Sequence, residues 1–304
     1  MNSRSYWFAG VVSIVVVSAW IAQDARGAAP SQAKPFRAGA ASVDISPKQF
    51  PVIVSGGFLE QYANRLVDPL HARALVLDDG TGKIVIAIVD TLMMARELID
   101  GVKQRAAAAT GIPAERMLIA ATHTHSAPSS MGALGTGTDA AYPKLLADGI
   151  VEAIQRATRN LAPAKIGWAV AEAPEHTNCR RWIKRPDCIG EDPFGGHTVR
   201  AMMHPGYQNP EYIGPAGPKD PALSVLAVQS PDGRPVALLA NYSMHYVGAA
   251  PVSADYFGRF CDAVARRMGA VKAGPPFVGM MSQGTAGDLH WMDYGGPRKD
   301  VSLD

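Results

Sequence analysis

The residues best suited to chemistry in this chain stand directly after apolar runs. Thr122-His123-Thr124-His125-Ser126 follows Met117 to Ala121, and Ser243-Met244-His245 follows Pro235 to Tyr242. Ser282 to His290 follows Phe277 to Met281, and Asp90 closes a fourth run that begins at Ile84. Ligands of α/β sheets sit outside the carboxyl ends of the strands, so clusters at several strand ends point to one shared site. His123 and His125 are two apart, which on an extended backbone puts both imidazoles on one face. Two neutral imidazoles suit a zinc ion that takes its other ligands from elsewhere. The alternative is a pair of strand-end histidines hydrogen-bonded to neighbouring carboxylates, with His245 structural as well. Gln283 to Asp288 is a turn of small residues. It would let a substrate approach the backbone and offer N–H groups to an oxyanion, or it is a plain tight turn. Arg180, Arg181, Trp182 and Lys184 stand together in a Pro- and Gly-rich stretch. Arginines beside an indole can bind a polar headgroup or a developing negative charge, or simply form a solvated basic loop.

The elements that must position these groups follow from periodicity. Phe36 to Val43 reads as a strand stopped by Ser46-Pro47. Leu70 to Leu77 and Ile84 to Val89 are β-rich runs joined by Asp79-Gly80-Thr81-Gly82, a hairpin signal. Ala95 to Ala109 reads as a helix with Leu98, Val102 and Ala106 on its apolar face. Strand, helix and strand from Ile84 to Ala121 predict a parallel crossover. Ala140 to Leu161 predicts a second helix, Ile166 to Val170 a strand, and Leu223 to Tyr242 a hairpin around Ser230-Pro231-Asp232-Gly233. Tyr256 to Met268 is a third helix and Phe277 to Met281 a buried strand. Pro174 to Pro221 reads as a long functional loop. The fold class expected is α/β: a mixed β-sheet core flanked by helices, with the site at the carboxyl ends of its strands.

Composition limits the functions available. The chain has 304 residues, 47% apolar and 18% charged, which excludes disordered, collagenous and coiled-coil classes. Lys plus Arg is 29 and Asp plus Glu 27, so charge gives no case for a nucleic-acid partner. Three cysteines exclude a disulfide scaffold or a four-cysteine zinc module. Cys179 and Cys188 are spaced to close a local disulfide in an exported protein, and Cys261 reads as a buried thiol. Residues 1–29 have the pattern of a secretory signal: Arg4, an apolar run from Tyr6 to Ala22, then small residues to Ala29. The alternative is an uncleaved N-terminal anchor. Either way the remainder, residues 36–304, is expected outside the cytoplasm, periplasmic or secreted.

Several stretches together resemble the neutral/alkaline non-lysosomal ceramidase family in its N-terminal catalytic domain, most nearly its divergent bacterial members. They are Arg37 to Pro47, Asp68 to Ala74, Ala120 to Pro128 with its Thr-His-Thr-His-Ser-x-Pro order, Asn178 to Arg181, Asn241 to His245, Ser253 to Gly258, and Gln283 to His290. The resemblance implies a hydrolase that cleaves the N-acyl amide of ceramide-like lipids with one zinc ion. By position it makes His123 and His245 zinc ligands, His125 a substrate or oxyanion contact, and Arg180 or Arg181 a substrate-side arginine. Asp288 and His290 become candidates for a general base. The substrate partner would be a small molecule or lipid, with peripheral membrane contact open.

Two departures stand out. His290 occupies the place of the family's catalytic serine, so the resemblance implies attack by water rather than by serine. The family's zinc glutamate and tyrosine come from farther along than Asp304, so the domain is expected to be incomplete at that end. The alternatives are a zinc amidase or esterase on a non-sphingolipid substrate, and a non-catalytic relative that binds ligand or metal.

Overall fold

The computed structural model describes residues 35–268, 275–301 and 303. The expected signal or anchor, residues 1–29, lies outside the described residues. The chain opens with β1 (Arg37–Asp44), the short hairpin β2 (Val52–Val54) and β3 (Gln61–Ala63), and the long hairpin β4 (His71–Asp78) and β5 (Lys83–Val89). Helix α1 (Arg96–Thr110) then crosses back to β6 (Met117–Ala121), which lies parallel to β5. This is the crossover predicted from the apolar periodicity. Helix α2 (Tyr142–Arg159) leads into β7 (Ala162–Pro163), giving a sheet in the order β6-β5-β4-β1-β7.

The second half builds a second sheet. Strand β8 (Lys165–Glu172) is followed by four short strands: β9 (Asn178–Cys179), β10 (Arg181–Lys184), β11 (Ala201–Met203) and β12 (Tyr212–Pro215). The hairpin β13 (Ala222–Gln229) and β14 (Pro235–Tyr242) comes next, then helix α3 (Asp255–Arg267), β15 (Val278–Gln283) and β16 (Leu289–His290). The sheet runs β15-β14-β13-β8, with β14 and β15 parallel. The mixed α/β class expected from sequence is the one observed.

The stretch from Pro174 to Pro221 is not the loop that its composition predicted. Strands β10, β11 and β12 form a three-stranded sheet, and β9 pairs with β16. These strands have two to four residues, too short for an alternation to show above the Pro and Gly content. Cys179 and Cys188 are free thiols, not a disulfide. Cys179 is buried on β9 with its sulfur on the Arg181 carbonyl, whereas Cys188 lies in the 3₁₀ turn Pro186–Cys188 beyond β10.

Packing follows strand alternation. Ala38, Ala40, Leu75, Leu77 and Ile88 of the first sheet meet Val228, Ala237, Val278 and Met280 of the second, so the two sheets share one apolar layer. The opposite face of the first sheet carries Val43, Ala72, Ala74, Val85 and Ala87 and packs on Leu146, Ile150 and Ile154 of α2 and on Val102 and Ala106 of α1. The opposite face of the second sheet packs on Phe257 and Cys261 of α3. Gly279 permits that last contact, since a Cβ there would meet the Cys261 carbonyl at 2.8 Å. The result is a helix–sheet–sheet–helix stack, and β5, β6, β14 and β15 release their polar termini toward the site.

Candidate metal centre

Three of those termini converge. The ring centroids of His123, His125 and His245 lie 4.9, 4.8 and 5.1 Å apart in the three pairs. One nitrogen from each falls within 4.8 Å of the others, and among the described residues this is the group of His, Cys, Asp and Glu so arranged. The route to this geometry differs from simple strand alternation. His123 has φ 70, a left-handed conformation unusual for a residue with a Cβ, so the chain kinks as it leaves β6. Backbone strain of this kind persists where surrounding contacts hold it. Here the His123 N–H donates to the Thr91 carbonyl at 3.0 Å.

Each imidazole is held the same way. The Nδ1 of His123 bonds the Leu92 carbonyl at 2.9 Å, that of His125 the Gly56 carbonyl at 2.9 Å, and that of His245 the Ala286 carbonyl at 2.7 Å. A carbonyl only accepts, so each Nδ1 carries the proton and each Nε2 keeps its lone pair. The Nε2 atoms of His125 and His245 stand 3.2 Å apart. Burial lowers the pKa of all three below the ordinary histidine value. For His125 the charges of His123 and His245 add to it and the value falls to about 4. For His245 it also falls to about 4, with the Arg180 and His123 charges contributing. Three neutral imidazoles aim three lone pairs at one point.

Backbone carbonyls, not carboxylates, orient these rings. Asp90, at the end of β5, forms a buried pair with Arg73 at 2.6 Å and accepts the His71 N–H. Asp255 accepts the N–H groups of Val247, Gly248 and Ala249 and so fixes the loop after His245. Gly56 is needed where it stands: its φ is +129, and a Cβ would meet the His125 carbonyl at 2.7 Å.

The remaining candidates surround this point unevenly. His290 is buried, its ring 6.3 Å from that of His245, and neither of its nitrogens has a hydrogen-bond partner. Burial first, then the Arg180 charge, lowers its pKa to about 3. Arg180 directs Nε and Nη2 to the Gly287 carbonyl, and its charge is felt by all three clustered histidines. Arg181, the next residue on β10, is exposed. Asp288 is exposed, and its backbone carbonyl accepts the Arg180 N–H. Residues that sequence reasoning passed over also belong here. Tyr246 stacks on His125 at 3.9 Å, and His204 receives Arg180 Nη1 at 3.4 Å. Tyr246 adjoins His245 in the chain, a signal of sorts; His204 sits alone in the Pro-rich stretch and gave none.

Comparison with known proteins fits this arrangement. Residues 36–181 match the family described as neutral/alkaline non-lysosomal ceramidase, N-terminal. This region is therefore similar to the N-terminal domain of that family. No curated protein matches the chain. Two solved structures share its fold: neutral ceramidase from Pseudomonas aeruginosa, with a TM-score of 0.64, and a ceramidase complexed with C2, with a TM-score of 0.65. Each is 22% identical and is matched over 84% of this chain. The chain spans 39% and 38% of those two proteins, so it corresponds to about two fifths of a solved ceramidase. The cluster His123–His125 thus lies within the ceramidase-like region, and His245 lies beyond residue 181, on the part related by fold.

A mostly apolar cavity lies near the site. It has a volume of about 540 Å³ and is lined by Met244, Trp291, Tyr242, Phe260 and Met281 among others. Met244 and Trp291 are the chain neighbours of His245 and His290. The cavity's lining includes these neighbours but none of His123, His125, His245 and His290.

Proposed function

We propose that this chain forms a zinc-dependent hydrolase site for N-acyl amides, with ceramide-like lipids as the substrate class implied by the family. The observation that carries the reading is the convergence of three Nε2 lone pairs whose Nδ1 protons are all committed to backbone carbonyls. This donor set fits zinc: three neutral nitrogens and an open position are the usual catalytic arrangement. When bound there, zinc would polarise the acyl carbonyl and lower the pKa of a water toward about 7.

The chain's own residues supply the rest. His123, His125 and His245 would hold the ion, with His125 acting as third ligand rather than as the substrate contact that its family position implies. His290 is neutral, buried beside His245, and has a free lone pair, so it can receive a proton from an attacking water. Arg180 brings a fixed positive charge to the side of the cluster. Asp288 has its carboxylate in solvent and fits the base role less well than His290. We further propose that the chain acts after export, as the composition of residues 1–29 suggests; among the described residues no helix is long and apolar enough to cross a membrane.

The test is direct. Purified protein should take up zinc one-to-one, and the zinc-loaded form should cleave a medium-chain N-acyl amide while the chelated form does not. Failure to bind zinc, or turnover indifferent to chelation, would refute the reading.

A further inference from the structure

The turn between β15 and β16 holds two groups with consecutive carbonyls. Ala286 O takes the Nδ1 proton of His245 at 2.7 Å, and Gly287 O takes both Nη2 and Nε of Arg180, at 2.7 and 3.1 Å. The guanidinium is thus anchored one residue along the same turn from the carbonyl that holds His245, and its charge acts on all three clustered histidines. It is also braced from the other side. Its Nη1 donates to Nε2 of His204, whose Nδ1 bonds the Tyr294 hydroxyl oxygen. The backbone repeats the tie: Arg180 N–H donates to Asp288 O, and His204 N–H to Arg180 O. Since His204 Nε2 accepts from Arg180, that ring is neutral and adds no competing charge.

What the guanidinium lacks is a carboxylate. Among the described residues none comes within ion-pair distance of Arg180, whereas Arg73, Arg96, Arg105, Arg156 and Arg185 each have one. Asp288 influences Arg180 only through space, with its carboxylate exposed. Of the five N–H groups a guanidinium carries, three are used and two remain. A partly buried arginine held rigid on neutral acceptors, with two donors free, is suited to chelate a carboxylate that arrives from outside. The metal cluster is likewise free of carboxylate, so nothing in it repels an anion.

We infer that Arg180 is a carboxylate clamp, and that the preferred substrates are N-acyl amides whose amine half bears a carboxylate, the N-acyl amino acids. This rests on the hydrolase reading above and narrows its substrate class. The amide carbonyl would lie at the histidine cluster, and the carboxylate, one or two bonds beyond the nitrogen, at Arg180. His204 is a positioning residue that holds the guanidinium in place.

The test compares N-octanoylglycine with its neutral counterpart N-octanoylglycinamide, which differ only in the charged group. Metal-free protein should bind the acid more tightly than the amide by about tenfold or more, the scale of a charge-assisted hydrogen-bonded pair. Titration calorimetry reads this without turnover. Arg180→Gln should remove the preference; Arg180→Lys, which keeps the charge but not the fork, should retain part of it. In zinc-loaded protein the same preference should appear in KM. Equal binding of acid and amide by the unaltered protein, or a preference that survives Arg180→Gln, would overturn the clamp. Acid-selective binding without any hydrolysis of either compound would leave the clamp standing and overturn the hydrolase reading instead.

Discussion

His125 Nε2 lies 3.2 Å from His245 Nε2, with neither nitrogen carrying a proton. Two lone pairs at that separation repel, and the contact is favourable only when a cation or a proton sits between them. The arrangement therefore predicts metal affinity in which His125 is as important as the two family-implied ligands. His123→Ala, His125→Ala and His245→Ala should each weaken zinc binding by more than the ~10–100-fold typical of losing a supporting group. Competition against a chromogenic chelator measures this. An unchanged affinity for His125→Ala would return that residue to the role of substrate contact.

The same three rings, with His290, set an acid limit on the metal-free fold. Their pKa values in the folded chain are lowered, to about 4 for His125 and His245 and about 3 for His290. In the unfolded chain they titrate near the ordinary value of about 6.5. The unfolded state therefore binds more protons as pH falls below that value, and stability drops. Metal-free protein should be most stable above about pH 6.5 and lose stability progressively toward pH 4 and below. Urea midpoints across this range test it. His290→Phe, which removes one buried titrating ring, should make the decline shallower.

Much of this architecture is legible in the sequence because long strands and amphipathic helices advertise their period. The hairpins β4–β5 and β13–β14 and the crossover through α1 to β6 follow from alternation and turn residues. The short strands β9 to β12 do not, because their pairing is set by distant partners such as Leu289 opposite Cys179. At the site, the histidine types and their strand-end positions were visible, but the devices that orient them were not. Leu92, Gly56 and Ala286 act through carbonyl oxygens, which every residue has. Whether Arg180 or Arg181 faces the cluster depends on the bend between β9 and β10, which no spacing encodes.

Gly56 offers a test of that backbone control. A side chain there would be strained by the positive φ and would strike the His125 backbone. Gly56→Ala should cost about 1–3 kcal/mol of stability, the range for a residue forced into an unfavourable backbone region. It should also loosen the carbonyl that fixes the His125 tautomer. The expected outcome is a lowered Tm together with weaker zinc binding, read by calorimetry on the same preparation. A full loss of stability with unchanged metal affinity would separate the two effects and refute the tautomer argument.

Beneath the site, the Arg73–Asp90 pair is almost wholly buried, with side chains 6% and 0% exposed. Asp90 leads into the turn whose Leu92 carbonyl holds His123. Asp90→Ala would strand the Arg73 charge in the interior and should destabilise the fold by about 3–5 kcal/mol. The double change Arg73→Met with Asp90→Leu removes both charges and should recover most of that loss. Chemical unfolding of the three variants measures the difference. If the double change is as unstable as the single one, hydrogen bonding by Asp90 to His71 outweighs the buried charge.

The final prediction concerns the nucleophile. The family resemblance puts His290 in the place of a catalytic serine, and four hydroxyls near the cluster are already committed. Ser126 Oγ donates to Ala249 O at 2.6 Å, Thr124 Oγ1 to Ser253 O at 3.0 Å, and Ser243 Oγ to Asp220 at 2.7 Å. Ser282 Oγ donates to Ala240 O at 3.1 Å. None of these four bonds an imidazole, so none has the histidine base that activates a serine, and the one carboxylate partner, Asp220 on Ser243, is not itself paired with a histidine among the described residues. Hydrolysis, where it occurs, should proceed by direct attack of water with no acyl-enzyme. Quenching zinc-loaded protein during turnover of a slow N-acyl substrate and measuring the intact mass should give the unmodified chain. His290→Ser should then lower turnover rather than restore a serine route, since the new hydroxyl would replace the proton acceptor. An acyl group trapped on Ser126, Ser243, Ser282 or Thr285 would contradict the water mechanism and give this chain a nucleophile of its own.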